Sequence, residues 1–234
     1  SYLPESVPVT DLARFAWQYE PCDELAGDTL NVFQLDRDTF GIYMIDVSGH
    51  GVPAALLSVH LSRIFSRRNG PESLVLGADS RARRPADVAA QLNQRFSGEF
   101  TSSQFFTLLY GILDLGAGEF RYTSAGHPGP IVVSGGVATV CNPSPPGIGI
   151  LPDADYVEKT LQLNKGDRLL LYTDGAYEVV NEKEEEFGEN RLAKAANTEL
   201  PLHTMVDELL ESARNWAGGQ PFIDDVSLLA VEIC

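Results

Sequence analysis

A chain of 234 residues with 44% apolar and 21% charged side chains has a globular balance, with room for one large domain or two small ones. Acidic residues outnumber basic ones 33 to 17, a formal net charge of −16. Such a surface repels nucleic acid and anionic lipid; most of the excess reads as solubility, and part of it as carboxylates intended for bound cations.

No stretch of 18 uncharged apolar residues occurs, so no membrane span is expected. The opening "SYLPESVPVTDL" has neither the basic start nor the apolar centre of a signal peptide. Cys22, Cys141 and Cys234 lie far apart with no CxxC pair. That argues against a disulfide framework or a zinc site and suits a reducing cytoplasm.

In chain order, "NVFQL" and "FGIYMID" flank the turn "DRDT" and predict a hairpin. After the loop "VSGHG", the run "VPAALLSVHLSRIFSRR" predicts a helix. Pro53 suits its first turn, Val52, Leu56, Val59 and Ile64 form its apolar face, and arginines crowd its end. "NGPESLVLGADSRARRP" reads as a polar connector, and "PADVAAQLNQRFSGEF" as a second helix with Val88, Leu92 and Phe96 four apart. Strands are expected at "QFFTLLYGILD" and "GEFRYTSAG", joined by "LGAG", and in "PIVVSGGVATV", which folds back over Gly135–Gly136. "DRLLLYTDG" is a further strand. "YEVVNEKEEEFGENRLAKAA" opens with a solvated charge run, "PLHTMVDELLESARNW" is an amphipathic helix stopped by Gly218–Gly219, and "DDVSLLAVEI" is a closing strand. Strands joined by tight turns, with helices as long excursions, predict antiparallel sheets covered by helices: a single α+β domain over residues 1–234.

Four aspartates share a local grammar: Asp28 in "LAGDTL", Asp46 in "MIDVSG", Asp174 in "YTDGAY" and Asp224 in "FIDDVS". Each stands at a strand edge, which fixes the carboxylate in direction. A glycine close by, adjacent to Asp28 and Asp174 and three residues after Asp46, lets a backbone carbonyl approach a ligand. Any one such Asp–Gly pair is ordinary turn chemistry. Four carboxylates brought together would repel one another unless cations held them. Oxygen-only donors favour Mg²⁺ or Mn²⁺ over zinc. Two such ions about 3.5–4 Å apart can lower the pKa of a water between them and aim it at phosphorus. Spacing alone leaves the convergence of the four open.

Five ordered blocks, "PCDELAGD", "IDVSGHGVPAALLS", "AGHPGP", "YTDGAYEVVNEKEEEFGENRL" and "DDVSLLAVE", resemble the metal-dependent (PPM-type) serine/threonine phosphatases. The branch they are most similar to is the bacterial one of the stage-II sporulation phosphatase and the RsbU regulators, and the resemblance runs from about Leu3 to Ile233. It implies a pair of antiparallel sheets between helix layers, with two Mn²⁺ or Mg²⁺ ions at one edge. Carried over to this chain, it implies that Asp46 bridges both ions, that Asp174 and Asp224 complete the first ion's shell, and that Asp28 and the Val47 carbonyl hold the second. Asp225 would act behind them. The helix beginning near Val52 resembles the family's switch element.

The implied activity is hydrolysis of phosphoserine or phosphothreonine on a small protein, a phosphorylated anti-sigma-factor antagonist of the STAS type, by water and without a phosphoenzyme. The implied setting is cytoplasmic, as the C-terminal output domain of a longer regulator. An upstream sensor or receiver domain and dimerisation would then control the switch helix.

The sequence departs from the pattern in places. Ser48 stands where other branches carry a histidine, with His50 two further on, and Ala26 and Asn31 replace a usual Gly and Asp. The substrate-anchoring arginine of other branches has no clear counterpart; Arg63, Arg67 and Arg68 read as helix-end charges. His127 reads as a loop-holding residue.

Three rival readings compete with this one. "DRDTF" nearly matches the DxDx[TV] signature of aspartyl-nucleophile phosphatases, but sits in a tight turn and has Phe at its fifth position. A cysteine-nucleophile phosphatase needs an arginine six residues after its cysteine, where Asp28 and Gly147 stand. From another class, the chain could be a degenerate module that docks without catalysing; every ligand position being filled argues against it.

Overall fold

A computed structural model describes residues 9–23, 25–49, 51–65, 73–77, 79–99, 105–143 and 146–234. The strands are β1 (Ala13–Glu20), β2 (Thr29–Asp36), β3 (Thr39–Val47), β4 (Phe106–Asp114), β5 (Glu119–Ala125), β6 (Ile131–Ser134), β7 (Val137–Val140), β8 (Lys159–Gln162), β9 (Arg168–Tyr172) and β10 (Val226–Ile233). The helices are α1 (Val52–Phe65), α2 (Pro85–Glu99), α3 (Glu189–Ala196) and α4 (Leu202–Ala217), with a single 3-10 turn at Asp174–Ala176.

The strands form two five-stranded sheets, ordered β1-β10-β9-β6-β7 and β2-β3-β4-β5-β8, and every pairing is antiparallel. The sheets face each other across one buried cluster. Leu30, Ile42, Met44, Leu109 and Phe120 come from one side, and Leu169, Leu171, Leu229 and Val231 from the other. A second cluster seats α1 and α2 on the outer face of the β3–β4 sheet; a third seats α3 and α4 on the outer face of the β9–β10 sheet. The result is the expected helix–sheet–sheet–helix sandwich. It explains why "FGIYMID" is an unbroken apolar run: β3 is covered on both faces.

Several local expectations hold. The β2–β3 hairpin turns at Arg37–Asp38, Val88, Leu92 and Phe96 are buried, and α4 ends where Gly218 takes the left-handed conformation at φ 65°. Others need correction. The buried face of α1 is Ala54, Leu57, Ser58, Leu61 and Phe65, while Val52 and Leu56 are 57% and 64% exposed. The connector before α2 is not simply polar, since Leu74, Val75 and Leu76 are buried in the core beneath that sheet's helices. β1, β8 and α3 had no sequence assignment. The N-terminal "SYLPESVP", His50, Arg67 and Arg68 lie outside the described residues.

Candidate active site

At one edge of the sandwich the ends of β3, β9 and β10 come together around an open cleft of about 540 Å³. Asp46, Val47, Asp174 and Asp224 line it, with Ser48, Thr107, Asp23 and Cys22 beside them and Phe105, Phe222 and Ile223 at its rim. Asp46 is the penultimate residue of β3; Asp174 opens the 3-10 turn after β9; Asp224 stands just before β10. Three of the four expected acids therefore share one cleft, though they are 128 and 50 residues apart in sequence order (46 to 174, 174 to 224).

Asp28 lies behind that lining, 4% exposed. Its Oδ2 accepts the hydroxyls of Thr173 (2.9 Å) and Ser227 (2.6 Å), on the strand ends that carry Asp174 and follow Asp224. It still shares the field of the cleft. Burial and then the Asp46 charge hold its carboxyl well above the usual carboxylate range.

Asp225 organises the loop that ends at Asp28. Its Oδ1 accepts the Cys22 N–H at 2.9 Å, and its Oδ2 accepts those of Gly27 (2.8 Å) and Asp28 (3.3 Å). Two glycines are required here by contact. A Cβ on Gly27 would stand 2.9 Å from the Val47 carbonyl oxygen, and one on Gly175 would stand 2.1 Å from that of Asp225. The "GD" and "TDG" spellings thus reflect backbones that must touch. From the helix side, the Ser58 hydroxyl of α1 donates to the Gly27 carbonyl, so the first helix is bonded directly to this loop.

The electrostatics are one-signed. Among the described residues, no Lys or Arg lines the cleft. Asp46 is pushed up from 3.8 to about 7, first by burial and then by Asp174, Asp224, Asp225 and Glu178. Asp174 and Asp224 are also raised, chiefly by burial, against the lowering effect of backbone N–H groups of Gly175 and Asp225. Among the described residues, no group of three His, Cys, Asp or Glu side chains forms a ready-made metal cage. The donor set nevertheless suits a hard divalent cation: three acids in one cleft, a main-chain carbonyl at Val47, and no cationic side chain among the described lining residues to neutralise them.

A family model described as "Stage II sporulation protein E (SpoIIE)" matches residues 36–233. The chain belongs to that family. Among curated proteins, this SpoIIE-family chain is 26% identical to "Protein IcfG" of Synechocystis, over 99% of this chain and 39% of that one. It is 27% identical to "Phosphoserine phosphatase RsbP" of Bacillus subtilis, over 71% and 40%. The chain spans about two fifths of the length of these relatives. Its fold matches the SiaA-PP2C domain of Pseudomonas aeruginosa with a TM-score of 0.81 at 20% identity, covering 94% and 86% of the two chains. It also matches RsbX in complex with magnesium, with a TM-score of 0.68 at 15% identity over 98% and 99%. The α+β sandwich of the PPM phosphatases is therefore the fold of this chain.

Some cleft residues had escaped the sequence reading. Asp23 was legible in "PCDELAGD" but carries no strand-edge signal. Thr107 sits in an ordinary-looking strand, and only its pairing opposite Asp46 places it at the cleft. Phe222 and Ile223 precede Asp224 in a segment whose exposure is set by tertiary structure.

Proposed function

We propose that this chain is a metal-dependent phosphoprotein phosphatase that hydrolyses phosphoserine or phosphothreonine on a regulatory protein. The observation that carries it is the acid-lined cleft, with no cationic side chain among the described residues that line it. A phosphoester entering it meets three carboxylates, so it can bind only where divalent cations neutralise them. Asp46 would bridge two Mn²⁺ or Mg²⁺ ions, with Asp174 and Asp224 on the first. Asp28 and the Val47 carbonyl would serve the second; the Thr173 and Ser227 hydroxyls both bond to Oδ2 of Asp28. Bound there, the cations lower the pKa of a water and neutralise phosphoryl charge.

The protein's own part is positioning. Asp225 fixes the loop that delivers Asp28, and Thr173 and Ser227 fix the Asp28 carboxylate. Exposed Phe105 and Ile223 at the rim offer apolar contact to residues flanking the phosphorylated one. The relatives named phosphoserine phosphatases support a phosphoserine substrate, and by the family resemblance the substrate we propose is a STAS-type anti-sigma-factor antagonist. Control by an upstream sensor or receiver domain, through dimerisation, belongs to the same proposal.

The test is phosphate release from phosphoserine and phosphothreonine peptides during a Mn²⁺ titration. Turnover should require the metal, and Mn²⁺ should raise the melting temperature by mass action. Asp46→Asn should remove both effects and leave a cooperative melt. Turnover that persists in excess chelator would refute the reading.

A further inference from the structure

His127 is fully buried, and its Nδ1 lies 2.8 Å from the Thr107 hydroxyl. Its Nε2 is also buried and makes no hydrogen bond within ordinary limits. The main chain of Tyr172 lies close enough to favour the protonated ring against burial, which is the effect of a carbonyl acceptor, at looser geometry. The imidazole therefore lies between Thr107 of β4 and the main chain at the end of β9, and Thr107 itself lines the cleft. The Ser124 hydroxyl pins its backbone by donating to the His127 carbonyl.

The direction of the Thr107–His127 bond follows from these partners. Burial pushes the imidazole down to about 3, so it is neutral and carries a single N–H. A proton on Nδ1 would aim the Nε2 lone pair at the Tyr172 carbonyl, setting two acceptors against each other in a buried site. With the proton on Nε2, that nitrogen faces an acceptor, and Nδ1 accepts from Thr107. The Thr107 hydroxyl proton is then committed downward, and its oxygen keeps only lone pairs for the cleft. Thr107 stands directly across from Asp46 in the β3–β4 register and lines the same cleft.

We propose that Thr107 is a positioning residue of the hydrolytic site: polarised by His127, its oxygen accepts a hydrogen bond from the attacking water beside Asp46 and turns that water's lone pair toward the phosphoryl group. Thr107 takes no proton, because its own is already given to His127; it sets orientation. This rests on the hydrolytic reading given above. A water held by one more acceptor has fewer unproductive orientations, so the interaction acts on turnover rather than on substrate affinity.

Two variants and one spectrum test it. Thr107→Ser keeps the hydroxyl; Thr107→Val keeps the shape and removes it. With a phosphoserine peptide and saturating Mn²⁺, Thr107→Ser should stay within about threefold of the parent kcat, while Thr107→Val should lose ~10- to 100-fold in kcat at little-changed KM. The Mn²⁺-induced rise in melting temperature should persist in both. Independently of turnover, ¹⁵N-imidazole NMR of the metal-free protein should show Nδ1 of His127 unprotonated and Nε2 protonated. Protonated Nδ1 overturns the proposal, as does a Thr107→Val enzyme with parental kcat, or a Thr107→Ser enzyme as slow as Thr107→Val. A parent protein with no turnover at all would sink the hydrolytic reading and this role with it. The spectrum would still decide which way the bond points.

Discussion

Removing the charge of Asp46 should make the metal-free protein less sensitive to alkali while disabling it. In the folded chain this carboxyl is pushed up from 3.8 to about 7 by burial and by the neighbouring acids. Between those values the folded state holds a proton that the unfolded state has released. This contribution to stability is therefore complete below the unfolded pKa and is lost as pH rises through about 7. At about 1.4 kcal/mol per pH unit, the two units from pH 5 to 7 correspond to about 2–3 kcal/mol. For a domain of this size that is roughly 4–12 °C in melting temperature.

The assay is a pair of thermal melts in chelator, at pH 5 and pH 8, for the parent and for Asp46→Asn. The parent should lose more stability than the variant over that interval, by about the stated amount. Adding Mn²⁺ at pH 8 at a hundredfold its Kd should return about 2.7 kcal/mol to the parent and nothing to the variant. Parallel pH curves for the two proteins in chelator would show that the folded state does not raise the Asp46 carboxyl, and would refute the reasoning.

Two further substitutions probe the scaffold of the cleft. Gly175→Ala would drive a Cβ to 2.1 Å from the Asp225 carbonyl oxygen, a backbone atom that cannot swing aside. It should cost about 1–3 kcal/mol in urea denaturation and weaken metal protection together. Asp225→Asn offers one oxygen where two accept three N–H groups. Amide exchange at Gly27 and Asp28 should quicken, and Mn²⁺ affinity should fall ~10- to 100-fold, while α4 amides stay protected.

The sequence displays best what is local. The β2–β3 hairpin was legible because its period and its turn are contiguous, and α4 because one face alone is apolar and Gly218 closes it. α1 misled for the opposite reason. It carries Val52, Leu56 and Val59 on one side and Ala54, Leu57, Leu61 and Phe65 on another, with Ile64 packed beside the second set, so periodicity alone does not choose the buried one. β1 was invisible because its partner is β10, at the far end of the chain, and no turn announces so distant a pairing. Among the acids, Asp46, Asp174 and Asp224 stood out as strand-end carboxylates, and they do line one cleft. Asp28 has the same spelling yet faces inward, because Thr173 and Ser227 take its carboxylate, and that choice is made by residues about 145 and 199 positions away.

The cleft has no owner within either sheet. Asp28, Asp46 and Thr107 belong to one leaf of the sandwich, and Asp174, Asp224 and Asp225 to the other; the bonds of Asp28 to Thr173 and Ser227, and of Asp225 to the Gly27 and Asp28 N–H groups, tie the two leaves together. A chain with only one leaf formed, or with both formed but not yet pressed face to face, contains every acid and no cleft. Cleft chemistry in this molecule therefore reports on the whole sandwich being shut.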